Sequence, residues 1–168
     1  MRFTITLPGA PRTAKNSPMI VRGIKHPVLL PSPAYKEWTQ AVLRNRAAIR
    51  SALGSRIPIL GPVSIAAIFY RDALTGDAVG YYQALADVLQ SNVWTCRKCN
   101  RKTVDENPIG CSHCPSELLK QTRHGLGIIE DDKLIEHWDG SRLSKDSARP
   151  RIELTVSTIE PPEGGLFG

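Results

Sequence analysis

The chain is poor in cysteine, with four in 168 residues, and poor in aromatics, at 6%. Its first third is nearly empty of acid: up to residue 56 the one carboxylate side chain is Glu37. No apolar run approaches the roughly 18 residues of a membrane-spanning helix, which excludes a span of that kind. The opening residues, MRFTITLPG, lack the apolar region and cleavage site of a secretory signal. A cytoplasmic protein with reduced thiols is the expectation. Glycine-rich phosphate loops and dinucleotide fingerprints are missing as well, which removes the common nucleotide-binding classes. The length suits one domain with a core large enough to need no covalent staples.

The shortage of acid has a counterpart. Residues 1 to 56 carry Arg2, Arg12, Lys15, Arg22, Lys25, Lys36, Arg44, Arg46, Arg50 and Arg56. The net charge of +6 is therefore a strongly basic beginning joined to a slightly acidic remainder. One-sided positive charge is the electrostatic footprint of a partner such as nucleic acid. A solvated basic face that aids solubility is the plainer alternative. Arg12, Lys15, Arg22 and Lys25 fall in residues 12–31, which have little periodicity and read as a basic loop or ragged hairpin. They are the candidates for gripping phosphates, with an affinity that falls as salt rises.

The cysteines are ordered Cys96-x2-Cys99-x11-Cys111-x2-Cys114. Two close pairs and one loop fit a tetrahedral zinc site, with disulfides as the alternative. Four thiolates close the metal's coordination, so such a zinc is structural and His113 a bystander. Trp94, Arg97, Lys98, Arg101 and Lys102 surround the first pair. They suit base stacking and phosphate contacts; equally, Trp94 suits packing under the metal loop. With the thiols committed to metal, no serine or cysteine nucleophile stands out.

Alternation of apolar residues predicts strands at 2–7, 63–69 and 151–158, with shorter ones at 126–129 and 133–138. Ser32-Pro33 reads as a cap and first turn, opening a helix over 33–52. A second helix is expected over 77–90, its apolar stripe formed by Tyr81, Leu85, Val88 and Leu89. The fold class is then α+β: a small mixed or antiparallel sheet with two helices packed on it, plus a zinc-binding insertion at 91–124. Residues 1–160 form one domain, and the tail 161–168 is expected to be flexible.

Four aspartates carry the candidate chemistry. Asp77 stands at a helix start, Asp87 ten residues on, and Asp131-Asp132 after the apolar run Leu126-Gly127-Ile128-Ile129. Taken singly, a cap, a solvated helix residue and a turn account for them. Taken together, carboxylates from two elements can converge on a hard divalent cation, which takes oxygen ligands.

The run Gly76-Asp77-Ala78-Val79-Gly80-Tyr81-Tyr82-Gln83-Ala84-Leu85-Ala86-Asp87-Val88-Leu89, followed by Gly127-Ile128-Ile129-Glu130-Asp131-Asp132, resembles the RusA family of Holliday junction resolvases. Those proteins carry G-D-x-D-N-x-x-K-x-x-x-D-x-L and a later apolar stretch ending in D-D. The opening strand ending in Leu7-Pro8, the basic loop, the helix entered through Ser32-Pro33-Ala34-Tyr35 and the closing strand at 151–158 are similar too. The resemblance covers most of the chain except 91–124 and the tail. It implies a homodimer that binds four-way DNA junctions, often encoded by phage or prophage. It also implies cleavage dependent on magnesium or manganese, in recombination and repair. By position, Asp77 and Asp132 match the metal-binding aspartates, with Asp131 and Asp87 in support.

The chain departs from the family at three positions. Val79 stands where the second motif aspartate belongs, Gly80 replaces the asparagine, and Gln83 replaces the lysine. A catalytically degenerate, zinc-containing DNA-binding or assembly protein on the same fold is therefore the second expectation. A zinc-ribbon regulator unrelated to nucleases accounts for the cysteines but leaves the acidic motifs unexplained.

Overall fold

The structure, a computed structural model, describes residues 1–10, 12, 19–22, 27–72, 78–105 and 108–160. In chain order the strands and helices are β1 (Arg2–Pro8), β2 (Met19–Arg22), β3 (Pro27–Leu30), α1 (Pro33–Leu43), α2 (Arg46–Leu53), β4 (Val63–Arg71) and α3 (Ala78–Leu89). Then come β5 (Val93–Cys96), β6 (Lys102–Val104), β7 (Leu119–Arg123), β8 (Ile135–His137), β9 (Arg142–Lys145) and β10 (Arg151–Thr158). The expected tail at 161–168 lies outside the described residues.

The main sheet has the order β1-β10-β4, antiparallel throughout; β8 and β9 then pair parallel with successive parts of β4's other edge. It is the mixed sheet of an α+β fold. Strict alternation along β4 buries Val63, Ile65, Ala67 and Phe69 on one face. Ile152, Leu154 and Val156 of β10 lie on the same face by register, as do Phe3 and Leu7 of β1. Trp38 and Val42 of α1 cover this face together with Tyr81, Leu85, Val88 and Leu89 of α3. The stripe read from periodicity is thus the face that α3 buries.

Several elements depart from the sequence expectation. The single helix over 33–52 is two helices, so three helices are present among the described residues. The break falls at Asn45, whose amide nitrogen donates back to the Ala41 carbonyl at 3.0 Å while its backbone N–H bonds to Val42. A side chain that competes for the helix's own carbonyls weakens the helix at that point. Residues 126–129 are not a strand: Ile129 makes isolated parallel bridges to Ile59 and Gln90. The run is clamped between Ile59, which accepts from Glu130, and the last turn of α3, which accepts from Leu126 and Ile128. At 133–138 a short 3-10 turn, Asp132–Leu134, precedes β8. In the basic stretch, β2 and β3 form an antiparallel pair, the hairpin alternative.

Residues 91–124 leave and rejoin the fold at one point. Their three strands form a separate sheet, β6-β5-β7. At its base Gly125 donates to the Asn92 side chain, and Leu126 to Val88. A Cβ at position 125 would lie 1.9 Å from the Gln90 carbonyl oxygen, so only glycine lets the two chain crossings come this close. Gln90, Ser91 and Asn92 are buried polar residues, and each has a hydrogen-bond partner here.

Candidate functional site

The four cysteines converge. All are free thiols, and their sulfurs lie within 4.8 Å of one another. Cys96 and Cys114 are 3.7 Å apart, Cys99 and Cys111 3.6 Å. Cys96 is supplied by the end of β5 and Cys99 by the turn before β6; the loop from β6 to β7 brings Cys111 and Cys114. Lys98 N–H points at the Cys96 sulfur and His113 N–H at the Cys111 sulfur, each at 3.4 Å. Donors aimed at sulfur favour thiolate, the form that ligates metal. Backbone N–H groups, first that of Cys99, hold the Cys96 thiol down to about 6. Burial, then the neighbouring thiols, push Cys114 up to about 12. The cluster has the donors and spacing to hold a zinc ion, and four sulfurs leave no coordination position for a substrate. Trp94 donates to the Asp105 carbonyl at 3.0 Å, so its indole edge is engaged within this sheet.

The second site forms where the acidic turn meets α3. Asp132, Ile135 and Trp138 come from the segment after residues 91–124, the ribbon of β5, β6 and β7; Val79, Tyr82, Gln83 and Ala86 come from one face of α3. Together they line a cavity of 320 Å3. The helical period explains the second set, because steps of three and four residues return to the same face. The walls are aromatic and aliphatic. Tyr82 stacks on Trp138 with centroids 4.8 Å apart and meets Phe69, tilted, at 5.8 Å. Val79 is 68% exposed at the cavity's edge.

The acidic pair divides into two environments. Asp131 accepts from Lys133 N–H at 3.2 Å and faces the Arg123 guanidinium at 3.5 Å. The Lys133 N–H foremost, then Asp132 and Arg123, hold Asp131 below the usual carboxylate range. Asp132 is pushed upward, first by partial burial and then by the neighbouring Asp131. Two adjacent carboxyls that cannot both ionise freely separate in this way.

Comparison with known proteins gives no matching family model and no matching curated protein.

Of the other candidates, Asp87 is half-buried on the flank of α3, where the Tyr35 hydroxyl donates to it at 3.4 Å. It is not part of the cavity lining. Burial first, then the Asp87 charge, push Tyr35 up to about 12. Asp77, Lys15 and Lys25 lie outside the described residues. Arg12 is exposed, and Arg22 ends β2, its backbone opposite Pro27. Among the described residues the cysteines are the one group of three or more metal-capable side chains this close together. Asp87, Asp131 and Asp132 do not form another.

Two residues hold the candidate aspartates in ways the sequence did not indicate. Tyr35 holds Asp87, and Arg123 holds Asp131. A tyrosine one turn into a capped helix gives no sign of the residue it will meet 52 positions later. Arg123 ends a strand that alone looks like surface.

Proposed function

We propose that this chain is a divalent-metal-dependent, structure-selective DNA endonuclease acting on branched DNA such as four-way junctions, with a structural zinc in residues 91–124. One observation carries the reading. Asp132 lies more than forty residues beyond Ala86 in sequence, yet it shares one cavity with Val79, Gln83 and Ala86 of α3. A motif split by an insertion and reunited in space is what a common site requires.

Carboxylate oxygens are the donors that a hard cation takes, and Asp132 offers one at the cavity. Asp77, which directly precedes α3 in sequence, is the second ligand of the proposal. Magnesium or manganese bound there would activate water and neutralise charge on a phosphodiester. The chain's own part is to hold Asp132 at the cavity and to anchor Asp131 away from it. The basic first third gives the phosphate grip, through Arg12, Lys15, Arg22 and Lys25. A homodimer suits the symmetric cutting of two strands; sedimentation with and without junction DNA tests it, and a monomer in both would oppose it.

A second reading has its own observation. Val79 and Gln83 give the cavity an apolar edge and a neutral amide where the family has an acid and a cation. A degenerate DNA-binding or assembly protein would keep such a cavity without metal. Cleavage of junction, flap and duplex substrates in magnesium and in manganese separates the two. Activity gained only on Val79→Asp with Gln83→Lys would favour the second.

A further inference from the structure

The ribbon sheet has two unlike faces. Residues directly opposite in antiparallel strands share a face, so register fixes which side chains stand together. Trp94 is paired with Thr103 of β6 and Gln121 of β7. Groups of the loop after β6 engage that face: the Trp94 indole donates to the Asp105 carbonyl at 3.0 Å, and the Thr103 and Ser112 hydroxyls lie 3.1 Å apart. Thr95, the next residue, is paired with Lys102 and Lys120 on the opposite face. Thr122 joins them, its hydroxyl 3.1 Å from that of Thr95. Lys102, Lys120 and Thr122 are exposed.

The exposed charge of the ribbon is mostly of one sign. Among its described residues Arg97, Lys98, Arg101, Lys102 and Lys120 are exposed cations, against Asp105 and Glu117 as exposed acids. None of these five cations makes an ion pair among the described residues. Strand spacing sets the backbones of Lys102 and Lys120 about 10 Å apart across β5, close enough for their long stems to meet one phosphate backbone. The core of a protein–protein interface is rich in aromatics and poor in lysine. Here the aromatic, Trp94, is on the other face. Lysines with hydroxyls between them are instead the donors that hold phosphate and sugar oxygens.

We propose that the ribbon face carrying Lys102, Thr95, Lys120 and Thr122 is a second contact for the DNA backbone, separate from the basic first third. The proposal rests on the reading of DNA as the partner, and it does not require that the chain cut it. It gives the ribbon a task that its structural zinc alone does not.

The salt dependence of binding tests it. A fluorescently labelled four-way junction is titrated with the full, zinc-loaded chain, without magnesium, and anisotropy gives the affinity at each salt concentration. Each phosphate contact contributes about 0.9 to the slope of log affinity against log salt. Lys102→Gln with Lys120→Gln should bind more weakly and flatten the slope by about 1.8, two contacts' worth. Lys102→Arg with Lys120→Arg keeps the charge and should keep the slope. Arg142→Gln with Lys145→Gln removes the same charge from β9 and should leave the slope unchanged. If the glutamine pair loses zinc, the single Lys120→Gln variant decides, with a flattening of about 0.9 expected. A slope unchanged in the lysine variants, or flattened as much by the β9 pair, overturns the inference while leaving the endonuclease reading standing. A flattened slope in a protein that never cuts DNA upholds the inference and sinks that reading. Wild type that binds no DNA overturns both. Polyglutamate bound by wild type and lost by the glutamine pair, with junction binding unchanged, would assign the face to an acidic protein and overturn the inference.

Discussion

Asp131 and Asp132 are adjacent in sequence and opposite in behaviour. Asp131 caps the turn and pairs with Arg123, so its native pKa is depressed. Its contribution to stability is present above the ordinary carboxylate range and is lost as pH falls through the depressed native value. Asp132 is shifted upward, so the native state binds its proton more tightly than the unfolded chain does. Its effect is the reverse: stability declines as pH rises through the carboxylate range. Asp131→Ala should therefore cost on the order of 1 kcal/mol at pH 7, the worth of a cap. The ion pair adds little, since 39% of the Asp131 side chain is exposed. Asp132→Ala should leave stability unchanged or slightly raised. Urea unfolding of both variants across the acid range checks the sign. Tyr35 gives a second residue-scale prediction. Its phenol should ionise at about 12, and Asp87→Asn should lower that value by removing the charge that opposes ionisation. Ultraviolet titration, with Tyr35→Phe as the reference, measures it; no change on Asp87→Asn would contradict the contact. At this scale the sequence was least legible. The aspartates were visible through their motif, but their partners Tyr35 and Arg123 became visible only once distant segments met.

At the scale of elements, the ribbon is a short sheet held at two ends, by four thiols at one and by its base at the other. Cys114→Ser should abolish stoichiometric zinc binding and speed exchange across 93–123, while β4 and β10 stay protected. Loss of protection in the main sheet as well would mean that the ribbon is not a separate cooperative unit. The base tolerates no side chain at Gly125. Gly125→Ala should cost near or above the upper end of the roughly 1–3 kcal/mol seen for overpacking, because the opposing atom is a backbone oxygen that cannot swing aside. Thermal melting measures it, and an unchanged midpoint would contradict the close approach. The alternating strands and the stripe of α3 were legible from period alone, because burial of one face dictates them. The cysteine pattern was legible because metal geometry dictates it. The break at Asn45 was not, since the helical period continues through it while the Asn45 side chain bonds to the Ala41 carbonyl and its backbone N–H to Val42. The run 126–129 was misread because a buried apolar segment has no period of its own; its partners, Ile59 and the end of α3, are remote in sequence.

At the scale of the whole molecule, the mixed sheet presents one face to the helices, and the ribbon leaves from the end of α3. None of the described helices is long and apolar enough to cross a membrane. The α+β class followed from the order of patterned segments, which packing rules restrict to few arrangements. The joining of Asp132 to the α3 face did not, because it depends on the closed base that returns the chain after the ribbon. The strongly basic first third predicts junction binding that weakens steeply with salt, by an amount that grows with the number of phosphates neutralised. The central claim of the proposal is that Asp132, at the cavity on α3, supports metal-dependent DNA cleavage. It is tested most directly by single-turnover cleavage of a four-way junction in magnesium, by wild type and by Asp132→Asn. Wild type should cut. Asp132→Asn should bind equally well and cut at least about 100-fold more slowly, since a ligand outweighs the outer partners worth about 10–100-fold. Wild-type protein that binds the junction and cuts it in neither magnesium nor manganese would contradict the account.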